Sequence, residues 1–203
     1  MPTRMQLETA AADVIGILKD VSEYSDARVA VIGGLALWKY IPNGRTTEDI
    51  DFIVNIGNAP QRVKQRLLAL PNSPFVQQAQ FFYYKTPSGP HIQIDITPQW
   101  QSPYMPATAA KLRDLTAGAI PYISATDLVV FKMNSCGLRP QTSKKRTDAA
   151  DAQALLEKLT VQASLKLTNA QKAIVEPSVD DVVAHGTKTM MWWREHLGLP
   201  TSP

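Results

Sequence analysis

Apolar residues in the first two thirds of the chain follow the two periods that mark helices and strands. Between residues 5 and 24 they recur at helical spacing, and from Asp49 to Val54 polar and apolar residues alternate as in a half-buried strand. The run from Arg28 to Ile32 predicts a short buried strand that ends in two glycines. Further helices are predicted at 35–40, 59–70 and 107–116, and further strands at 75–84, 91–97 and 121–123. Because helices and strands alternate, we predict an α/β fold.

The last third of the chain shows helical patterns only. Ser124 followed by Asp127 has the form of an N-terminal cap for a helix at 128–135. After a link at 137–143, helices are predicted at 145–159, 162–175 and 179–197. We therefore predict two regions, an α/β core over 1–136 and a helical C-terminal region over 137–203.

Composition narrows the class of protein only slightly. The 203 residues, 44% of them hydrophobic, suffice for one core with a small appendage. A net charge of +3 permits an anionic partner but does not establish nucleic-acid binding. The single cysteine, Cys136, cannot form an internal disulfide and fits a reducing compartment. The N-terminus does not resemble a signal peptide, and no apolar run approaches the roughly 20 residues that span a bilayer. We expect a soluble, cytoplasmic protein.

Three aspartates are the main candidates for chemistry. Asp49 and Asp51 are two positions apart on one strand, so both side chains project to the same face. Asp95 lies on the opposite face of its strand from Ile92 and Ile94, where it can be a third carboxylate. Neighbouring carboxylates repel unless a cation or water separates them, and oxygen-only ligands suit Mg²⁺ or Mn²⁺. The alternative is that Asp49 and Asp51 belong to a solvated strand end and that Asp95 is an ordinary exposed residue.

Gly33 and Gly34 are placed where a buried strand turns into a helix. Backbone N–H groups point outward at such a turn, and the helix dipole favours a phosphate there. A tight turn or close helix packing would explain two glycines equally well. The two glycines therefore indicate a phosphate site only in combination with the acids that follow them in the sequence.

The segments 33–37 (GGLAL) and 45–52 (RTTEDIDF) resemble the opening motif of the nucleotidyltransferase superfamily, and are most similar to its branch of abortive-infection toxin-like proteins. Asp95 within IQIDI matches the third acid of that pattern. The segment 123–132 (ISATDLVVFK) is similar to that branch's helix whose lysine, here Lys132, lies near the triphosphate. Lys132 also reads as an ordinary surface lysine. The resemblance extends over roughly residues 28–156.

The resemblance implies a fold, a reaction and a set of site residues. The fold would be a mixed β-sheet flanked by helices. The reaction would move a nucleoside monophosphate from a nucleoside triphosphate to an acceptor hydroxyl, with release of pyrophosphate and with Mg²⁺ or Mn²⁺ as cofactor. The catalytic and metal-binding residues would be Asp49, Asp51 and Asp95, and the nucleotide-binding residues Gly33, Gly34, Arg45, Thr47 and Lys132.

The identity of the acceptor stays open at this point, with an RNA end, a protein hydroxyl and a small molecule as alternatives. The toxin-like branch also implies an inhibitory partner protein. Two rival functions remain: a non-catalytic nucleotide- or metal-binding module of the same fold, and a metal-dependent phosphotransferase. The presence of all three acids argues against the first rival.

Overall fold

A six-stranded mixed sheet forms the centre of the N-terminal part of the chain. The computed structural model describes residues 1–87 and 89–201. The strand order is β3-β4-β5-β2-β1-β6, in which β2 and β5 are parallel and the other neighbours are antiparallel. The strands are β1 Arg28–Ile32, β2 Asp49–Val54, β3 Phe75–Gln78, β4 Phe81–Lys85, β5 His91–Pro98 and β6 Ala110–Lys111. The predicted α/β class and mixed sheet are confirmed.

Seven helices accompany the sheet in the described residues. They are α1 Arg4–Asp20, α2 Gly33–Tyr40, α3 Gln61–Leu68, α4 Ala125–Leu138, α5 Thr142–Leu159, α6 Asn169–His185 and α7 Met190–His196. Within-chain contacts group the residues into two compact units, Met1–Ile123 and Ser124–Pro203. The first unit contains the whole sheet with α1 to α3, and the second contains α4 to α7. The domain ranges 1–136 and 137–203 stay a prediction.

One face of the sheet forms the core of the first unit. The apolar stripe of α1, which includes Leu7, Val14 and Leu18, joins Phe52 and Ile94 in one buried cluster. Burial of each such side chain stabilises the fold by about 1.5–3 kcal/mol. Because side chains alternate along a strand, the intervening residues of β2 and β5 must project from the opposite face. The sequence alternation that builds the core therefore also presents Asp49, Asp51 and Asp95 on the other side of the sheet.

Three local predictions in the first unit are wrong. The strand predicted at 75–84 is two strands, because the chain reverses at Ala79, whose φ is 50°. The helix predicted at 107–116 is replaced by β6 and a 3₁₀ turn at Leu112–Asp114. The guanidinium of Arg28 donates to the carbonyls of Pro106, Ala107 and Ala109, which holds this segment extended beside β1. The strand predicted at 121–123 is a single bridge between Val31 and Tyr122.

Three helices of the second unit, α4, α6 and α7, begin at side-chain caps. The Oγ of Ser124 accepts from the N–H of Asp127, as predicted. The last two helices differ from the predicted 162–175 and 179–197, because Thr168 and Gln171 form a capping box and Thr189 caps α7. Pro177 lies inside α6. None of the described helices combines the length and the apolarity that a membrane crossing requires.

Candidate active site

Asp49, Asp51 and Asp95 meet on one face of the sheet. The parallel register places Asp51 directly beside Asp95 and Asp49 beside Gln93. One carboxylate oxygen from each of the three acids lies within 4.8 Å of the other two, and all three side chains are half-buried. An oxygen-only set of this size fits a hard divalent cation such as Mg²⁺ or Mn²⁺. The structure thus brings together the three acids that the sequence singled out.

Neighbouring polar groups orient two of these carboxylates. The hydroxyl of Thr47 donates to Oδ1 of Asp49 over 2.5 Å, and Thr47 itself is buried. The side-chain amide of Gln93 donates to Oδ2 of Asp95 over 3.0 Å. Hydrogen bonds to a charged acceptor fix its direction more strongly than neutral ones do. Gln93 was missed from sequence, although its position two residues before Asp95 puts it on the same face.

Gly33 and Gly34 make room for the acidic site itself. A Cβ atom on Gly33 would lie 1.8 Å from Oδ2 of Asp51, and the φ of Gly33 is 66°. A Cβ atom on Gly34 would lie 2.4 Å from Oγ1 of Thr47. The sequence suggested that these glycines admit a phosphate, and that function stays a prediction. The structure shows another reason for glycine at these two positions. A side chain at Gly33 would clash with Asp51, and a side chain at Gly34 would clash with Thr47.

The remaining predicted nucleotide contacts have different surroundings. Arg45 lies in the exposed segment between α2 and β2, where its guanidinium donates to the carbonyl of Thr46. Thr47 was predicted as a nucleotide contact, and its hydroxyl is directed at Asp49. Neither arrangement tests nucleotide binding, so both assignments stay predictions.

Lys132 belongs to the second unit, where it forms a buried ion triad with Asp148 and Asp151. Its Nζ lies 2.9 Å from Oδ1 of Asp148 and 2.8 Å from Oδ2 of Asp151, and the three side chains are 8%, 4% and 5% exposed. Burial lowers the pKa of Lys132, but attraction by Asp151 and Asp148 outweighs burial and raises the pKa above its usual value. Arg139 adds a further cation, with Nε 3.0 Å from Oδ2 of Asp148. The surface-lysine alternative is therefore wrong for Lys132.

A mixed sheet with three carboxylates at adjacent strand positions, beside a diglycine turn, is the arrangement of the nucleotidyltransferase class. The model of the family described as "Nucleotidyl transferase AbiEii toxin, Type IV TA system" matches residues 17–181. This match covers more than half of the chain, and the chain belongs to that family. The resemblance inferred from the sequence is confirmed.

A solved structure shows the same fold at low sequence identity. It is the crystal structure of an antigenic nucleotidyltransferase-like protein from Paracoccidioides brasiliensis, with a TM-score of 0.55 and 18% identity. The alignment covers 90% of this chain and 94% of that chain. No curated protein matches the chain. At this identity the structural likeness supports the fold alone.

Proposed function

We propose that the chain is a metal-dependent nucleotidyltransferase that transfers a nucleoside monophosphate from a nucleoside triphosphate to an acceptor hydroxyl. The observation that carries this proposal is the convergence of Asp49, Asp51 and Asp95, with carboxylate oxygens within 4.8 Å of one another. Three mutually repelling acids on one half-buried face are a cost to the fold unless they hold a cation. Family membership supports the same class of reaction.

The three acids would divide the work of the reaction. Asp49 and Asp51 would hold Mg²⁺ or Mn²⁺, which when bound supplies charge neutralisation for a triphosphate. Asp95 would share in metal binding and accept the proton of the acceptor hydroxyl. The acceptor oxygen would form a bond to the α phosphorus, the bond from that phosphorus to the bridging oxygen would break, and pyrophosphate would leave. Thr47 would keep Asp49 aimed at the metal through its hydroxyl.

The nucleotide contacts are proposed in two groups. Gly33, Gly34 and Arg45 would bind the phosphates from the first unit, through backbone N–H groups at the start of α2 and through a guanidinium. Lys132 is proposed as a nucleotide contact on the strength of family membership.

A neutralising protein partner and a cytoplasmic location are also proposed. The matching family is named for a toxin of a type IV toxin–antitoxin system, which supports the proposal of an antitoxin that counteracts it. Growth of cells that express the chain, with and without a candidate antitoxin, tests this part. Growth arrest that needs Asp51 and disappears with the antitoxin is the expected result. Arrest that persists in the Asp51→Asn variant would contradict it.

A labelled transfer assay tests the reaction itself. Each of the four common ribonucleoside triphosphates, labelled at the α phosphate, is incubated with Mg²⁺ or Mn²⁺, total RNA and total cell protein. We expect label in an acceptor and equimolar pyrophosphate from the wild type, and neither from Asp51→Asn. Glu48→Gln is the matched control, because it removes the same charge from an exposed neighbour of β2.

The same assay distinguishes the rival functions. Formation of labelled nucleoside diphosphate in place of pyrophosphate would indicate transfer of the γ phosphate by a phosphotransferase, or its hydrolysis if inorganic phosphate appears as well. Triphosphate binding without transfer, in a protein with native circular dichroism, would indicate a binding module. Wild-type turnover by a folded Asp51→Asn variant would overturn the assignment of the site.

A further inference from the structure

The sheet face that bears the three acids continues onto β4 and the start of β5. We call the residues there the β4–β5 face: Phe81, Tyr83, Lys85, His91 and Gln93. The register pairs Tyr83 with Gln93 and Lys85 with His91 across the two strands, and pairs Gln93 with Asp49 on the other side. Directly paired residues share a face of the sheet, so the β4–β5 face and the acids form one continuous surface. Tyr83 is two strands from β2, which is about 10 Å.

The β4–β5 face is open, whereas the other side of the same strands is closed. Phe81 is 40% exposed, Lys85 and His91 are exposed, and Tyr83 and Gln93 are half-buried. The alternate residues Phe82 and Tyr84 are buried in the core. Phe82 and Tyr84 are thus the aromatic residues that β4 contributes to the core, whereas Phe81 and Tyr83 lie on the open face.

The aromatic rings on this face lie together, on the strand that also carries Lys85. The ring centroids of Phe81 and Tyr83 are 6.3 Å apart. Lys85 is the next residue of β4 on the same side, opposite His91. Aromatic side chains interleaved with positive charge are the pattern with which proteins bind single-stranded nucleic acid, because bases stack on the rings and phosphates meet the cations.

We propose that the β4–β5 face binds the acceptor of the transfer reaction, and that this acceptor is the end of a single-stranded nucleic acid. The proposal rests on the proposed function. The terminal hydroxyl lies at Asp95, the bases next to it stack on Tyr83 and Phe81, and a phosphate contacts Lys85. Stacked nucleotides rise about 3.4 Å each. Asp95 lies one strand and two residues from Tyr83, which is about 8 Å, so about two nucleotides extend from the hydroxyl to the ring.

The first experiment measures binding of a short fluorescein-labelled single-stranded RNA by anisotropy, without triphosphate. The Tyr83→Ala variant should bind about tenfold more weakly, since one lost stacking contact has about that effect. Tyr83→Phe keeps the ring and should bind like the wild type. Trp100→Ala is the matched control, because Trp100 is an aromatic residue 71% exposed in the 3₁₀ turn after β5, outside this face. Its affinity should not change.

The salt dependence tests the cation separately. Each phosphate contact contributes about 0.7 to the slope of log affinity against log salt for a single strand. Lys85→Ala should reduce that slope by about 0.7 and leave the effect of Tyr83→Ala intact. Tyr83→Ala should leave the slope unchanged, since stacking releases no counterions.

The transfer assay separates failure of this proposal from failure of the proposed function. If RNA is labelled, Tyr83→Ala should raise the KM for RNA about tenfold without a change in the KM for the triphosphate. RNA binding that is unchanged in a natively folded Tyr83→Ala variant overturns the proposal, whether or not transfer occurs. Label found only in protein, with a yield independent of Tyr83, also overturns it and leaves the nucleotidyltransferase function standing. Absence of transfer together with Tyr83-dependent RNA binding contradicts the proposed function and preserves the binding face.

Discussion

The Oδ2 atom of Asp51 occupies the space in which any side chain at Gly33 would begin, 1.8 Å from the position of a Cβ. The two residues lie at the junction of neighbouring strands, since Ile32 at the end of β1 pairs with Asp51 in β2. Gly33 also has a φ of 66°, a value that residues with a side chain rarely adopt. Position 33 is thus restricted by backbone conformation and by the acidic site at the same time.

Substitution of Gly33 by alanine should therefore damage both stability and the metal site. The new methyl group displaces Asp51, and the positive φ adds strain of about 1–2 kcal/mol. We expect the free energy of unfolding to fall by at least about 2 kcal/mol and Mn²⁺ binding to be lost, as measured by urea denaturation and calorimetry. The control is Gly16→Ala in α1, where a Cβ meets nothing within 4 Å. That change should stabilise the protein by about 0.5–1 kcal/mol. Equal stabilities for the two variants would contradict the steric explanation.

The hydroxyl of Thr47 should matter through Asp49. Thr47→Val keeps the shape of the side chain but removes the donor, and hydrogen bonds to charged groups contribute about 1.5–3 kcal/mol. We expect Thr47→Val to lower Mn²⁺ affinity about tenfold, while Thr47→Ser retains it. Calorimetric titration of the two variants gives the comparison. If Thr47→Ser bound Mn²⁺ as weakly as Thr47→Val, the methyl group and not the hydroxyl would determine the affinity.

Loss of Lys132 should cost more than loss of an exposed lysine. Lys132→Met removes this cation from the buried Asp148 and Asp151 and leaves Arg139 beside Asp148, and removal of one partner from a buried ion pair costs about 3–5 kcal/mol. Lys158→Met, in the exposed last turn of α5, is the control. Because its partners raise the pKa of Lys132 on folding, its contribution is full below the unfolded pKa of about 10.4. It should disappear as the pH rises through the higher folded pKa. Urea denaturation of both variants and the wild type between pH 8 and 11 measures this, and a pH-independent difference would contradict the assignment.

Cys136 should be inert in the folded protein. It is fully buried in α4, and burial, with the nearby Asp181 and Asp148, raises the pKa of its thiol to about 11. Alkylation by iodoacetamide at pH 8 should be at least about a hundredfold slower in the native protein than in urea, because the thiolate is the reacting form. Mass spectrometry of timed samples measures the rates. Fast labelling of native protein would show that the helix opens locally, and Cys136→Ser would serve as the unlabelled control.

The sequence was sufficient where a short local pattern determines the structure. The alternation of β2 and β5 predicted which residues enter the core, and so predicted that Asp49, Asp51 and Asp95 share a face. It did not predict the reversal at Ala79, because alanine is not a usual turn residue and its positive φ is imposed by the β3–β4 hairpin. Nor did it predict the extended segment around Ala109, which depends on hydrogen bonds from the distant Arg28. The first depends on strand pairing within the hairpin, and the second on contacts between residues distant in the sequence.

The site residues show the same division. The acids and glycines were identified by their spacing, but the partners of Thr47, Lys132 and Gln93 depend on side-chain directions that spacing does not fix. Lys132 was expected beside a triphosphate, and its contacts with Asp148 and Asp151 on α5 emerge only from helix packing. The spacing of residues in the sequence does not determine that packing.

Strand β2 carries two of the three acids and is paired on both sides, with β5 and with β1. An interior strand opens only when the sheet around it comes apart, so its amide hydrogens should be among the slowest in the protein to exchange with deuterium. A partner that switches the protein off is therefore not expected to do so by melting the acidic centre. Inhibition by blocked entry would instead compete with substrate and leave the exchange rates of β2 unchanged.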